Sequence, residues 1–259
     1  SEKKINNELS IVVGSVGGFD SWILFKTKDY NILNLNDCQT SEKNLKSILK
    51  IANNKIDVLM TQFSFANWIC NNGDHELARK QIQLVRSKVK RQVEILKPKY
   101  LIPFASFTYF CNIENFYLNQ YSIEVEEFYQ EYKDICKVIV MFPGDKFQPS
   151  ENYDSRKSLN KWRVAYDKIK QTEPIVSKTI EFHKIVDAHE QYIQNIKKNN
   201  NFLLIYILTK INFFSKQRVF INDLGITVEF DLISKLKKSN REDKSIILNS
   251  DSLFYLFMF

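Results

Sequence analysis

Four short apolar runs, each ending in small or polar residues, limit this fold more than any other feature. They span 31–38, 56–62, 100–104 and 137–142, each the length of a strand and too short for a buried helix. The stretches 43–53, 74–97 and 113–133 carry helical periodicity, and strands alternating with helices are the signature of an α/β sheet. The run 21–28, followed by the polar break Asp29-Tyr30, reads as a hairpin partner for 31–38.

In open α/β sheets the loops beyond the strand ends build the site. The polar residues placed there are Asp37, Gln62, Ser64, Asn67, Ser106 and Asp145. Asp37 matters most, because a carboxylate delivered to a strand end is a natural metal ligand or general base. Gly14-Ser-Val-Gly-Gly18 lacks the Lys-Ser/Thr ending of a phosphate loop and reads as a turn.

The Pro-Gly-Asp turn at 143–145 and the polar run 148–155 mark a change of composition. Residues 1–150 are expected to form one domain and 151–259 a second, smaller α+β region, helical over 156–198 and β-rich over 201–259. Strands are expected at 218–221 and 225–231. The chain stops in an aromatic run, 251–259, of the kind a following segment would cover, so this second region is expected to be incomplete.

Composition narrows the classes. Cys38, Cys70, Cys111 and Cys136 are widely spaced with no Cys-x-x-Cys pair, which argues against a disulfide framework or a thiolate zinc site and for a reducing compartment. No stretch approaches the roughly 20 apolar residues of a membrane span, and the start lacks a signal-peptide core. The expected location is the cytoplasm, with no membrane partner. A net charge of +7 favours acidic partners. Arg79, Arg86, Lys90 and Lys97 line one edge of the 74–97 helix as a basic stripe, which reads as a solvated flank or, alternatively, a phosphate-binding surface.

With these segments in order, the chain resembles the C-terminal half of a metallo-β-lactamase-fold domain, closest to the branch that includes the CMP-N-acetylneuraminate hydroxylases. The carriers are Asn34-Leu-Asn-Asp-Cys38, Asp57-Val-Leu-Met-Thr-Gln-Phe-Ser-Phe-Ala-Asn-Trp68, Lys97-Pro-Lys-Tyr-Leu-Ile-Pro-Phe-Ala-Ser-Phe107 and Phe142-Pro-Gly-Asp145, over roughly residues 10–150. The resemblance implies half of an αββα sandwich with metal between two sheets, and it implies that Asp37 is a metal ligand. The family's His-x-His-x-Asp-His motif is absent from the chain, and Ala105 stands where many relatives place a last histidine. Zinc or iron would therefore not be bound by this chain alone.

The three histidines add little. His183 and His189 lie six apart on an expected helix and so face different ways, and His75 reads as a helix-start residue. Ser64 and Ser106 lack a Gly-x-Ser-x-Gly frame. Trp22, Phe63, Phe65, Trp68 and Phe107 could stack on a base or sugar, although strand-end aromatics more often belong to the core.

The expectation is thus part of a metal-dependent enzyme, hydrolase or hydroxylase-like, acting on a phosphorylated or sugar-nucleotide-type ligand. Asp37 would hold metal, with Gln62, Ser64, Asn67 and Ser106 shaping the pocket. Its partner would be a small anionic ligand or a missing half-domain. Two alternatives stand beside it: a non-catalytic binding or assembly module on the same fold, and a metal-dependent nuclease or phosphodiesterase whose basic stripe meets nucleic acid.

Overall fold

A computed structural model of the chain describes residues 2–18, 20–240 and 246–258. It divides into two compact units, Ser1–Ile175 and Val176–Phe259.

The first unit is built on one seven-stranded mixed sheet whose strands lie in chain order. They are β1 (Glu2–Lys4), β2 (Leu9–Val16), β3 (Asp20–Thr27), β4 (Asn31–Asn36), β5 (Val58–Thr61), β6 (Tyr100–Pro103) and β7 (Lys137–Val138). β1 to β4 are antiparallel neighbours, and β4 to β7 are parallel. The parallel connections carry α1 (Glu42–Ile51), α2 (His75–Leu96) and α3 (Val125–Tyr132), and α4 (Ser155–Lys170) follows the last strand. The chain is an α/β protein, as its alternating runs indicate.

Local chemistry sets the helix ends. Ser41 caps α1 in a reciprocal box with Asn44, and the Asp74 side chain caps α2 by accepting from the Leu77 amide. Lys97 ends α2 in the left-handed conformation just before Pro98, which cannot continue a helix. One sheet face, through Val12, Leu24, Leu33, Leu35, Leu59 and Leu101, packs against Leu45 and Ile48 of α1, Val89, Val93 and Leu96 of α2, Phe128 of α3 and Leu159 of α4. On the other face Ile32, Val58, Met60, Tyr100 and Ile102 meet Phe147 and Tyr153. Further along that face, toward β2, Ile11, Ile23 and Phe25 are half-buried and Val13 is exposed.

Several expectations needed correction. The stretch 113–133 is not one helix: a 3-10 turn (Phe116–Tyr121) precedes α3, because the Ile123 backbone N–H is drawn to the buried Ser64 Oγ at 3.0 Å. β7 is only two residues long, since the Val140 N–H turns away to Ser155 Oγ and the Val140 carbonyl accepts from Tyr153. Gly14 belongs to β2, and of the glycine-rich stretch only Gly17 and Gly18 are in turn conformation. A Cβ at Gly14 would stand 2.3 Å from the ring of Trp22, its cross-strand partner, so only glycine fits there.

The expected helical run 156–198 is two helices, broken around Pro174. The first of these, α4, belongs to the first unit, where Trp162 stacks on Phe107 with ring centroids 4.2 Å apart.

The second unit holds α5 (Phe182–Asn199), α6 (Phe202–Lys210), β8 (Gln217–Ile221), β9 (Ile226–Phe230), β10 (Lys237–Ser239), β11 (Ile246–Leu248) and α7 (Ser250–Met258). Its four strands lie in the order β10-β9-β8-β11, and Ile185, Val219, Ile221, Val228, Leu253 and Phe257 form its core. The stretch 201–259 is therefore less β-rich than its pattern suggests, because 202–210 and 250–258 are helical. In the terminal aromatic run Leu253 and Phe257 are buried and Tyr255, Leu256 and Met258 are exposed, while Phe259 lies outside the described residues.

Candidate functional site: a polar pocket at the strand ends

Because β3 runs antiparallel to β4, the start of β3 lies beside the end of β4. Ile23 pairs with Asn34, and beyond that pair Cys38 Sγ donates to the Ser21 carbonyl at 3.1 Å and the Gln39 N–H to Asp20 Oδ2 at 3.3 Å, so Asp20 and Asp37 reach the same cavity. The β4 register shifts at Asn34–Asn36, and Asn36 takes the left-handed conformation (φ 46°), which asparagine tolerates better than most residues. The Asn36 side chain then donates to Asp37 Oδ1 at 2.8 Å, and the Asn36 carbonyl accepts from the Gln62 N–H at 2.9 Å. This bulge turns Asp37 outward, where it is exposed.

Asp37 opens into a cavity of about 700 Å³. Asp20, Gln39, Gln62, Asn67, Trp68, Gln81 and Lys88 contribute to its wall. Lys88 was not legible as a site residue. It is only 5% exposed, and its Nζ donates to Gln62 Oε1 at 2.7 Å. Burial pulls its pKa below the ordinary lysine value, and the nearby Asp37, Cys38 and Asp20 partly oppose that pull. Behind it lies a buried polar relay: Thr61 donates to Gln92 at 2.8 Å, and Gln92 in turn reaches Thr40 at 3.4 Å. One turn apart, Lys88 and Gln92 interrupt the apolar stripe Val85, Val89, Val93, Leu96, and that interruption is the signal sequence inspection could have used.

The expected site residues fall into three groups. Asp37, Gln62 and Asn67 converge on the pocket. Ser64 and Ser106 lie below the surface as framework: Ser106 Oγ donates to the Ser64 carbonyl at 2.8 Å, and Ser106 borders a different cavity, beside Tyr109 and Tyr166. Asp145 is held elsewhere by the Phe142 amide, Ser158 and Lys161, which push its pKa far down. Of the aromatic candidates, Trp22, Phe63 and Phe65 are buried, Phe107 is stacked on Trp162, and Trp68 alone is largely open, at 58% exposure.

Arg79, Arg86, Lys90 and Lys97 are not brought into the pocket. Arg86 is ion-paired with Glu127 and Glu131, and Lys90 reaches Glu94 at 4.0 Å. Arg79 is exposed, and Lys97 serves as the end of α2. Of the histidines, His75 opens α2 and meets the Tyr121 hydroxyl at 2.5 Å, while His183 and His189 sit in the second unit.

Among the described residues no three His, Cys, Asp or Glu side chains come together as a metal site. Asp20 and Asp37 offer oxygen donors, but the ammonium of Lys88 stands among the groups around them. The described residues thus do not bring together the roughly three protein ligands that a zinc or iron site uses.

Fold and pocket together define an α/β protein with a polar cleft where antiparallel strands give way to parallel ones. No protein-family model matches the chain, and no curated protein matches it. Among solved structures, a mutant of the CmlA β-hydroxylase aligns with a TM-score of 0.36 and 10% identity, covering 55% of this chain and 31% of that one. The chain spans less than a third of that protein's length. No described helix is long and apolar enough to cross a membrane.

Proposed function

We propose that the strand-end pocket binds a small hydroxyl-rich ligand of sugar or sugar-nucleotide type. One observation carries this reading: two carboxylates, a group of side-chain amides, a buried ammonium and one exposed indole share a single cavity. Carboxylates accept hydroxyl hydrogens and amides both donate and accept, so together they suit the mixed polarity of a sugar. Trp68 offers an apolar ring face, and Lys88 offsets part of the charge of Asp20 and Asp37.

Saturation-transfer NMR with N-acetylglucosamine, UDP-N-acetylglucosamine and UMP tests it. The expected result is transfer to the sugar protons that disappears in Trp68→Ala and Asp37→Asn. No transfer to either sugar, or transfer untouched by both substitutions, counts against the reading.

A second reading, a metal-dependent enzyme, is favoured by the shared cavity of Asp20 and Asp37 and by the half-open sheet face at Val13, Ile23 and Phe25. A further layer covering that face would bring the remaining ligands. Elemental analysis of the full gene product decides it: zinc or iron lost on Asp37→Ala supports this reading, and metal-free protein refutes it.

A further inference from the structure

The second unit presents an unusual helix. α6 turns Ile205, Leu208 and Thr209 inward, as Thr209 Oγ donates to the Ile205 carbonyl at 2.8 Å, yet its outward side is also apolar. Leu203 is 67% exposed, Leu204 53% and Ile207 48%, and just beyond the helix Ile211 is 66% and Phe213 70% exposed. A helix facing water on one side normally carries polar residues there. An apolar patch of this kind marks an interaction surface.

The charges around it indicate what covers it. From Gln191 to Asn222 the chain has no Asp or Glu, but it has Lys197, Lys198 and Lys210, besides Lys216 and Arg218, which are paired with Glu229. Lys197 lies over the Phe202 ring at 5.0 Å and Lys210 over Tyr206 at 5.5 Å, so each ammonium sits at the border of the apolar surface. Protein interfaces are depleted in lysine and tend to carry both signs at their rims. A lysine-rimmed apolar helix with aromatic side chains instead fits a layer with an apolar interior and an anionic surface.

We propose that α6 and the residues after it dock on the surface of an anionic lipid bilayer, with Leu203, Leu204, Ile207, Ile211 and Phe213 entering the headgroup boundary and Lys197, Lys198 and Lys210 meeting lipid phosphates. That no described helix is long and apolar enough to span a membrane does not bear on this, since an interfacial helix lies in the plane of the surface and needs no span length.

Co-sedimentation of the whole chain with phosphatidylcholine vesicles, with and without phosphatidylglycerol, tests the proposal. Binding is expected to the phosphatidylglycerol vesicles, to weaken with added salt, and to be far weaker to phosphatidylcholine alone. Leu203→Glu with Ile207→Glu, both at exposed positions, is expected to abolish it while circular dichroism stays unchanged. Lys197→Gln and Lys198→Gln should each lower partitioning about five-fold. A Phe213→Trp reporter quenched by brominated lipid gives a second readout that does not depend on the glutamate pair folding.

Failure to sediment with phosphatidylglycerol vesicles, equal binding to both vesicle types, or indifference to the glutamate pair overturns the proposal. Concentration-dependent self-association that the glutamate pair removes, without vesicle binding, also overturns it and assigns the patch to a second copy of the chain.

Discussion

Lys88→Met separates the stability of the pocket from its chemistry. Burying an ammonium costs several kcal/mol. The Gln62 hydrogen bond returns about 1.5–3 kcal/mol as a charge-assisted contact, and Asp37 and Asp20 return part of the rest through space. The direction of the Lys88 pKa, downward, says that burial outweighs these attractions. Methionine keeps most of the stem's packing and removes the charge, and Gln62 is half-buried, so water can satisfy its freed oxygen.

The variant is therefore expected to be more stable at pH 7 by about 1–2 kcal/mol, or roughly 2–8 °C for a unit of this size. Trp22, Trp68 and Trp162 all lie in the first unit, so urea unfolding followed by tryptophan fluorescence reports on that unit. The pH dependence adds a check on the sign. With a folded pKa below the ordinary lysine value of 10.5, the unfolded chain holds the extra proton between the two values, so wild-type stability rises with pH in that window. The advantage of Lys88→Met should shrink as pH climbs toward 10.5. A destabilisation above about 1 kcal/mol at pH 7 would refute the reasoning, because it would mean that the carboxylates and Gln62 outweigh the burial cost.

Two further outcomes follow from buried polar groups. Gln92→Leu leaves the Thr61 hydroxyl and Thr40 facing an apolar side chain and should cost about 1–3 kcal/mol in the same urea assay, whereas adding Thr61→Val should recover part of that loss. His189 is fully buried with no hydrogen-bond partner on either ring nitrogen among the described residues, and burial holds its pKa below 6.5. It is neutral in the fold, so stability is complete above pH 6.5 and falls as pH drops from there toward the folded value. Hydrogen exchange in α5 should show acid-induced opening that His189→Phe suppresses, the new ring fitting among Tyr192, Phe230 and Phe257.

Much of the sheet was legible because its signals are local. The apolar runs 31–38, 56–62 and 100–104 and the hairpin before them gave β3 to β6, and from β4 the position of Asp37 at the pocket rim followed. Gln62 and Asn67 followed for the same reason. Ser64 and Ser106 were misplaced because a loop position does not reveal whether a hydroxyl faces solvent or a buried carbonyl. Lys88 escaped because lysine is counted as surface by default, although with Gln92 it interrupts the apolar stripe of α2. α6 escaped because a short apolar run without a polar face has no period to distinguish helix from strand.

The shared cleft of Asp20 and Asp37 depends on the pairing of one hairpin. Asp20 opens β3 and Asp37 follows directly on β4, so their sharing of one cavity depends on the alignment set by the tight turn at Lys28–Tyr30, where the Thr27 N–H meets the Tyr30 carbonyl at 2.9 Å, together with the bulge in β4. A slip of one residue would carry the inward set Leu33 and Leu35 to the opposite face and part the two acids. The chemistry of the cleft is in this sense written at the far end of the hairpin, and a change in a turn that never meets a ligand would retune the site as surely as a change in its wall.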